Sequence, residues 1–454
     1  MRDVSSRVLC WHRCKCSTKA IGAAPSESLN VALTSRPLGW VPTRGIRDRK
    51  RLDVVPNVPE DRTGLSRGLL FALGYIAAVG PLSIDMYLAS FTDIAVSLDT
   101  TAAAVQLTLT TFLVGLGFGQ LILGPLSDRH GRRTVLISAL IVFTLSGAAM
   151  VFAPNIGVLV ALRAVQGFTG AAGIVIARAI AADLTTGTGT VRALSLIATL
   201  VGLGPLLAPP IGGAVSTLWG WRGVLVVLAV AATVMLLVSI LVVPESLPAQ
   251  NRLSRGLGST FRTMGTLVRD LSFVLYTLAF AFGFAVMIAY ISASPFVGQG
   301  ILNMSPIAYS LAFATSATAL LLAGLTNARL APRFGPQRML LVGTSALLAG
   351  SVAMATFIAT GALTPASFIV CAFATTGGAG FTMTNSSALA LNRAAHARGS
   401  GSALLGTTQF LLGGLFTPVV GLWGEHTALP LAVVMTSTAA IALTLALLAR
   451  RVPS

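Results

Sequence analysis

The sequence predicts an all-α integral membrane protein, with twelve transmembrane helices arranged as two six-helix, pseudo-symmetric halves. Of its 454 residues, 54% are hydrophobic and only 10% are charged, and the mean hydropathy is +0.83. A soluble globular domain carries about 25% charged residues, and a disordered chain is poor in apolar residues. The composition therefore excludes both classes. It places most of the chain in a lipid bilayer.

Twelve apolar stretches have the length of about 20 residues that a helix needs to cross the hydrocarbon core. The predicted spans are 69–90, 104–124, 135–153, 158–177, 194–215, 223–243, 272–294, 307–326, 339–358, 366–387, 401–421 and 429–449. The longest connector between them contains Arg252, Arg255, Arg262 and Arg269. It lies between the sixth and seventh spans and so separates the two halves.

The distribution of positive charge predicts the orientation of these spans. With a cytoplasmic N-terminus, 29 of the 31 Lys and Arg residues fall on the cytoplasmic side, Arg222 falls outside and Arg163 lies within a span. This asymmetry follows the positive-inside rule and predicts a multi-pass protein of the plasma membrane with both termini in the cytoplasm. It also accounts for the net charge of +17 without a nucleic-acid partner.

Five segments follow from the spans and the charges. A basic tail, predicted to be disordered and cytoplasmic, holds 13 of the Lys and Arg residues. The six-helix halves flank a cytoplasmic central loop, and a short cytoplasmic tail ends the chain. The predicted segments are 1–67, 68–243, 244–271, 272–449 and 450–454.

A loop pattern repeats after the second and the eighth span. The first copy, 124–133, has the form G-x-x-x-D-R-x-G-R-R, and the second copy, 328–337, has Pro332 in place of the aspartate. Two parallel halves with this loop resemble the major facilitator superfamily. That resemblance implies the major facilitator fold and transport by alternating access.

A narrower resemblance covers most of the predicted membrane region. The segments GPLSIDMYLAS (80–90), 105–136, AYISASPFVG (289–298) and 402–406 are similar to the Bcr/CflA branch of drug:proton antiporters. The resemblance implies proton-driven efflux of small apolar or cationic drugs. It implies a proton gradient as the energy source, with no cofactor and no metal. We expect the chain to act as a monomer.

Two charged residues lie within the predicted spans. Asp85 is the one acid there, and an ionisable group in the bilayer is a functional candidate by default. The alternative is a solvated structural carboxylate at the outer end of the first span. Arg163 is the one base, in a pattern ending at Gly167 that resembles the superfamily's fourth-helix proton-transfer motif, although a snorkelling arginine is the alternative. Both residues are predicted at similar depth, close enough to interact, and are assigned to proton coupling.

The repeated loop and the fifth span supply further candidates. The resemblance makes the loop a gate between conformations rather than a substrate contact, with Asp183 as an ion partner of Arg132 or Arg133. A solvated positive-inside loop is the alternative. The candidate gating residues are Gly124, Asp128, Arg129, Gly131, Arg132, Arg133 and Asp183.

In the fifth span, the order of glycines and prolines resembles the antiporter motif G-x-x-x-G-P-x-x-G-G, or else serves close packing alone. Its residues are Gly204, Ala208, Pro209, Gly212 and Gly213.

Four polar or aromatic residues within or near the predicted spans are candidates for contact with the substrate. Drug pockets are mostly apolar with a few polar groups, and the candidate lining residues are Tyr87, Gln106, Gln166 and Tyr290. The cluster Cys10, His12, Cys14 and Cys16 does not have the spacing of a common zinc site. With no nucleophile–base set or phosphate-binding loop in view, an integral-membrane enzyme is disfavoured. Export or import of a metabolite, such as an amino acid or a sugar derivative, stays open.

Overall fold

The structure is a computed structural model that describes residues 65–252, 257–421 and 427–452. The Cys10–Cys16 cluster, Arg255, His426 and nearly all of the predicted N-terminal tail lie outside the described residues. Apart from short 3-10 and π segments, the described residues form fourteen α-helices and no strand. The helices are α1 Arg67–Leu88, α2 Phe91–Ser97, α3 Ala102–His130, α4 Arg132–Val151, α5 Ile156–Leu184, α6 Gly187–Gly202, α7 Gly204–Val242, α8 Leu257–Leu267, α9 Leu271–Pro295, α10 Pro306–Phe334, α11 Pro336–Ala359, α12 Pro365–Arg393, α13 Arg398–Phe416 and α14 Leu429–Arg451.

Eleven helical segments of the described chain are long and apolar enough to cross a membrane. One of them, Gly187–Val242, has 56 residues and would measure about 84 Å if straight, nearly three times the hydrocarbon thickness. Gly220 interrupts it with a φ of 67° and a ψ of −175°. The segment packs against both α1 and α4, as two crossings joined by a reversal would. It therefore contains the fifth and sixth predicted crossings.

Three details differ from the predicted spans. Helix α6 begins at Gly187, seven residues before the predicted start of the fifth span, and the helix is interrupted at Leu203 rather than continuous. Leu203 keeps helical angles, but the following pair Gly204-Pro205 opens a new helix because proline has no N–H to donate. The connector between the first and second predicted spans also contains a short helix, α2, that the hydropathy pattern does not reveal.

The internal repeat is visible in the helix boundaries. Helices α9, α10 and α11 begin with the same spacing along the chain as α1, α3 and α4, and α3 and α10 both have 29 residues. Gly131 and Gly335 occupy equivalent turns with φ of 98° and 84°, a left-handed conformation that favours glycine. The two halves also pack alike, because α3 and α4 contact α5 as α10 and α11 contact α12. The predicted pseudo-symmetric fold class is confirmed.

The most extensive helix contacts between the halves, among the described residues, are those of α3 with α13 and of α7 with α10. We name the end of the bundle that carries Gly131 and Gly335 the loop end, and the opposite end the far end. At the far end Gln106 Nε2 donates to the Ser292 carbonyl at 3.2 Å. Nearer the middle, the Thr407 hydroxyl donates to the Gly117 carbonyl at 3.1 Å. The two halves are therefore in contact at the far end in this conformation.

Candidate functional site

Asp85 lies in the last turn of α1, at the far end of the bundle, and is only 4% exposed. Among the described residues its carboxylate has no hydrogen-bond or ion-pair partner. A carbon added at Gly204 on α7 would lie 4.0 Å from Asp85 Oδ2, and the Tyr309 hydroxyl on α10 is within electrostatic range. Asp85 is therefore a buried acid at the junction of α1, α7 and α10, and not a solvated carboxylate at a helix end.

Arg163 lies on α5 and is 1% exposed, so its guanidinium does not snorkel to water. Its Nη1 donates to the Ser83 carbonyl at 3.1 Å and to Gln166 Oε1 at 3.0 Å. The guanidinium carbon lies 3.8 Å from the centre of the Tyr87 ring, which is a cation–π contact. Its Nε and Nη2 atoms are buried without a hydrogen-bond partner. Arg163 is thus held against α1 while part of its donor capacity is unused.

The two charged residues do not form an ion pair in this structure. Arg163 contacts Ser83 and Tyr87, which lie one turn apart on one face of α1. At about 100° per residue, Asp85 points about 200° away from each of them. The described residues therefore show no direct pairing of the two, because similar depth along two helices does not place two side chains on facing sides; an interaction through water stays a prediction. Both side chains nevertheless face the protein interior rather than lipid.

The residues of the antiporter-like motif lie on both sides of α7. Gly212 approaches α1 so closely that an added carbon would overlap the Met86 carbonyl group. Gly213 approaches α10 in the other half, where an added carbon would lie 2.9 Å from the Pro306 carbonyl oxygen and would overlap the Ser310 hydroxyl. Ala208 and Pro209 are buried, and Gly204 faces Asp85. The motif therefore packs α7 between its own half and the other one.

The four candidate substrate contacts fall into two groups. Tyr87 and Gln166 lie together around Arg163, and both are buried. Gln106 and Tyr290 lie elsewhere: Gln106 bonds across the far-end interface, and the Tyr290 hydroxyl lies 2.9 Å from Ser316 Oγ. The Tyr290 ring stacks on Phe313, with ring centres 5.8 Å apart. The structure thus unites two of the four residues in one polar cluster.

The far end contains contacts that the sequence analysis missed. A π-helical turn, Phe296–Ile301, follows α9 and carries Gln299. Gln299 Oε1 accepts from the Thr92 hydroxyl at 3.3 Å, and its Nε2 donates to the Ala89 carbonyl at 3.3 Å. Phe296 packs against Phe91 of the other half, with ring centres 6.1 Å apart. No local pattern marks these residues, because the contacts join the first half of the chain to the second.

The predicted gating loop forms an ion network at the loop end. Arg132 Nη1 lies 2.5 Å from Asp128 Oδ1, and Arg132 Nε lies 3.0 Å from Asp183 Oδ2. Arg132 also donates to the Ser127 hydroxyl, while Arg133 donates to the Ile240 carbonyl at 2.7 Å. Gly131 permits the turn that brings these residues together. Asp183 therefore lies next to Arg132, as predicted.

The remaining gating candidates contribute less to that network. Gly124 is buried, and a carbon added there would lie 3.3 Å from Val175 on α5. Arg129 is exposed. In the degenerate second copy, Arg333 contacts the Phe334 ring, and the nearby ion pair joins Arg393 to Asp270 at 3.6 Å. The two loops therefore share a backbone turn but not a charge network.

Glu245 is the functional residue of this region that sequence reasoning missed. Its carboxylate accepts from the backbone N–H groups of Arg132 and Arg133, at 2.9 and 3.3 Å. It thereby caps the N-terminus of α4, where Gly131 has no side chain to do so. Arg252 lies 3.8 Å from the same carboxylate. The signal in the sequence is an acid just after the sixth span, distant along the chain from the loop that it caps.

No cluster of three or more His, Cys, Asp or Glu side chains that could hold a metal is found in the described part of the chain. The site therefore consists of a buried carboxylate, a buried guanidinium, a tightly packed α7 and a charged loop. These elements lie in a bundle of two repeated halves.

The comparisons with known proteins identify the family. The family model of the Major Facilitator Superfamily matches residues 71–418. The chain belongs to the Major Facilitator Superfamily. Its members are transporters, so this chain is a transporter and not an enzyme.

Relatives within the superfamily place the chain more closely. It is 37% identical over 383 residues to the uncharacterized MFS-type transporter YdgK of Bacillus subtilis, covering 84% of this chain and 94% of that protein. It is 28% identical to a bicyclomycin resistance protein homolog of Haemophilus influenzae, covering 80% of this chain and 91% of that one. The resemblance to drug exporters of the Bcr/CflA type is therefore confirmed at modest identity.

A solved structure agrees with the fold. The nucleoside transporter NupG, as its D323A mutant, superposes with a TM-score of 0.67 at 13% identity, covering 84% of this chain and 98% of that one. At this identity the likeness shows the superfamily fold alone.

Proposed function

We propose that this transporter exports small apolar or cationic drugs in exchange for protons. The observation that carries the proposal is Asp85, a buried carboxyl beside Gly204 and Tyr309 that has no ion-pair partner within the described part of the chain. A carboxyl in an apolar setting changes charge by exchanging a proton. Because α10 belongs to the other half, a change of charge at Asp85 alters the free energy of the contact between the halves. The similarity to a bicyclomycin resistance protein homolog supports export as the direction.

The surroundings of Asp85 suggest how proton and substrate alternate. With the far end closed, Asp85 lies beside Gly204 on α7, and the Tyr309 hydroxyl of the neighbouring half is within electrostatic range. A cationic substrate that reaches this region stabilises the charged carboxylate, whereas a proton neutralises it. One carboxyl cannot hold both ligands, so each displaces the other. This exclusion is sufficient for antiport when combined with alternating access.

Arg163, Tyr87 and Gln166 form the second element of the proposal. The unused Nε and Nη2 donors of Arg163 are available to a new acceptor when α1 and α5 shift. Arg163 already contacts α1 on both sides of Asp85 in sequence, through Ser83 and Tyr87. A change in the position of α1 therefore changes the contacts of Arg163. In this role Arg163 stabilises one position of α1 rather than pairing directly with Asp85.

The orientation belongs to the same proposal. The loop end is cytoplasmic and both termini lie in the cytoplasm, because Arg and Lys residues concentrate on that side. The chain acts as a monomer in the cytoplasmic membrane. Reporter fusions after Gly157, at the far end, and after Asn251, at the loop end, should report opposite sides of the membrane. Fusions that report the same side would contradict this orientation.

The function is tested by expression in a host that lacks its own drug exporters. The wild-type chain, Asp85→Asn and Asp99→Asn are compared on a panel that includes bicyclomycin and lipophilic cations. Asp99 is a matched control because it is an exposed acid of the far-end connector. Growth at higher drug concentrations with wild type and Asp99→Asn, but not with Asp85→Asn, is expected. If no compound on the panel is tolerated better, export of drugs is the wrong function.

A further inference from the structure

Helix α8 lies in the connector between the two halves, immediately before α9. Its Met264 and Leu267 side chains are 5% and 2% exposed. The helix packs against α3 of the first half and against α13 of the second. One face of α8 is therefore fixed on the protein, in contact with both halves at once.

The rest of the α8 surface divides into two sectors. Phe261 and Val268 are 49% and 57% exposed, although both are large and apolar. They lie two helical turns apart and so point in nearly the same direction. The turn continues as far as Val268, because its N–H donates to the Met264 carbonyl at 3.1 Å. These two side chains form an exposed apolar strip beside the buried face.

The second sector is basic. Arg262 is exposed and lies about 100° around the helix from Phe261. The exposed Arg269 follows Val268 in the turn after α8, where its N–H donates to the Thr266 carbonyl at 3.2 Å. The nearest acid in sequence, Asp270, is engaged by Arg393 at 3.6 Å. Around its axis, α8 thus presents a protein-facing side, an apolar strip and a basic side. This combination is typical of a helix that lies in the membrane interface.

A further exposed apolar residue follows the strip at the start of the next spanning helix. Leu271, the first residue of the spanning helix α9, is 58% exposed and follows Val268 by three positions. We propose that α8 binds anionic phospholipids. The Phe261 and Val268 side chains enter the acyl region, and Arg262 and Arg269 bind the headgroup phosphates. Each basic residue at such a surface adds attraction to an anionic leaflet.

The contact of α8 with both halves gives this binding a consequence. Because α8 packs on α3 of one half and on α13 of the other, a movement of the halves relative to each other changes at least one of these two contacts. Lipid that holds α8 in the membrane interface therefore affects which of the two halves α8 stays in contact with. The proposal concerns lipid binding alone, so it does not depend on the identity of the exported compound.

The test uses the purified full chain in nanodiscs of phosphatidylcholine, alone or with about 30% phosphatidylglycerol. Backbone amide exchange of residues 257–269 is compared for wild type, Arg262→Gln/Arg269→Gln and the matched control Arg329→Gln/Arg338→Gln. The control removes two exposed arginines of the loop end that lie outside α8. Phosphatidylglycerol is expected to slow exchange in wild type and control by roughly tenfold, and to have little effect in the α8 variant.

A second variant examines the apolar strip. Phe261→Ser/Val268→Ser keeps both arginines and is expected to lose most of the protection by phosphatidylglycerol. Equal exchange of wild type in the two lipid compositions would overturn the proposal. So would an equal loss in the Arg329→Gln/Arg338→Gln control. Protection that rises with protein concentration instead of anionic lipid would assign the surface to a second copy of the chain and would also overturn it.

Discussion

Substitution of Gly213 by alanine should shift the transporter away from the conformation with the closed far end. The added carbon would lie 2.9 Å from the Pro306 carbonyl oxygen and 3.0 Å from Ser310 Cβ, and would overlap the Ser310 hydroxyl. Both neighbours belong to α10 in the other half, so α7 and α10 must separate. Overpacking of a close contact costs about 1–3 kcal/mol. The gain of alanine in helix propensity is present in both conformations and cancels.

The lower part of this range, about 1–2 kcal/mol, corresponds to a shift of roughly 5–30-fold in the conformational equilibrium. The assay uses a cysteine at Ala293, which is 3% exposed at the far end. A membrane-impermeant maleimide should label it from outside in proportion to the population with an open far end. Gly213→Ala should raise the labelling rate by about the same 5–30-fold factor.

Two glycines of the same motif supply the controls. A carbon at Gly204 would lie 3.8 Å from Pro81 Cβ, an ordinary contact, so Gly204→Ala should label at the wild-type rate. A carbon at Gly212 overlaps α1 of the same half, so Gly212→Ala should lower stability without opening the far end. Equal labelling of Gly213→Ala and Gly204→Ala would refute the assignment of Gly213 to the closure of the interface.

Three further predictions concern the loop end and the N-terminal tail. Asp128→Ala should lower the turnover rate more than the substrate affinity, because Asp128 pairs with Arg132 far from Asp85. Separate measurements of the Kd for substrate and of the transport rate check this, and an equal loss in both would contradict it. Glu245→Gln should lower the free energy of unfolding in detergent by about 1 kcal/mol, because two backbone N–H groups lose a charged acceptor that is 30% exposed. An unchanged unfolding midpoint would show that water replaces this cap. Deletion of residues 2–60 should leave transport intact, since the predicted spans begin at residue 69; loss of transport by a membrane-inserted variant would assign a role to the tail.

The sequence predicts those parts of the fold that depend on local patterns. Apolar length locates the spans, and the loop repeat locates the internal symmetry, because each signal is complete within a single span or loop. The positive φ at Gly131 and Gly335 explains why the repeat keeps a glycine there. The reversal at Gly220 lies in the predicted connector between the spans 194–215 and 223–243. The break at Leu203 is not predicted, because hydropathy does not register the end of one helix and the start of another inside an apolar run.

In the candidate site, too, the features that depend on local sequence are predicted, and those that depend on long-range contacts are not. Burial of Asp85 and Arg163 follows from their positions within spans, but their partners do not. Similar depth in the membrane predicts that the two residues pair, whereas the angle of about 200° on α1 keeps their side chains apart. Sequence reasoning misses Glu245 and Gln299 because each acts on backbone or side chains that are distant along the chain. Long-range contacts of this kind have no signature in a single sequence.

The central claim is that Asp85 couples proton movement to substrate export. Everted membrane vesicles with a pH gradient, monitored by a pH-sensitive dye, measure this directly when a transported drug is added. If Asp85 carries the coupled proton, the drug releases protons through wild type and through Asp99→Asn, but not through Asp85→Asn at equal membrane abundance. Drug-induced proton movement through Asp85→Asn at the wild-type rate would show that Asp85 does not couple the two movements.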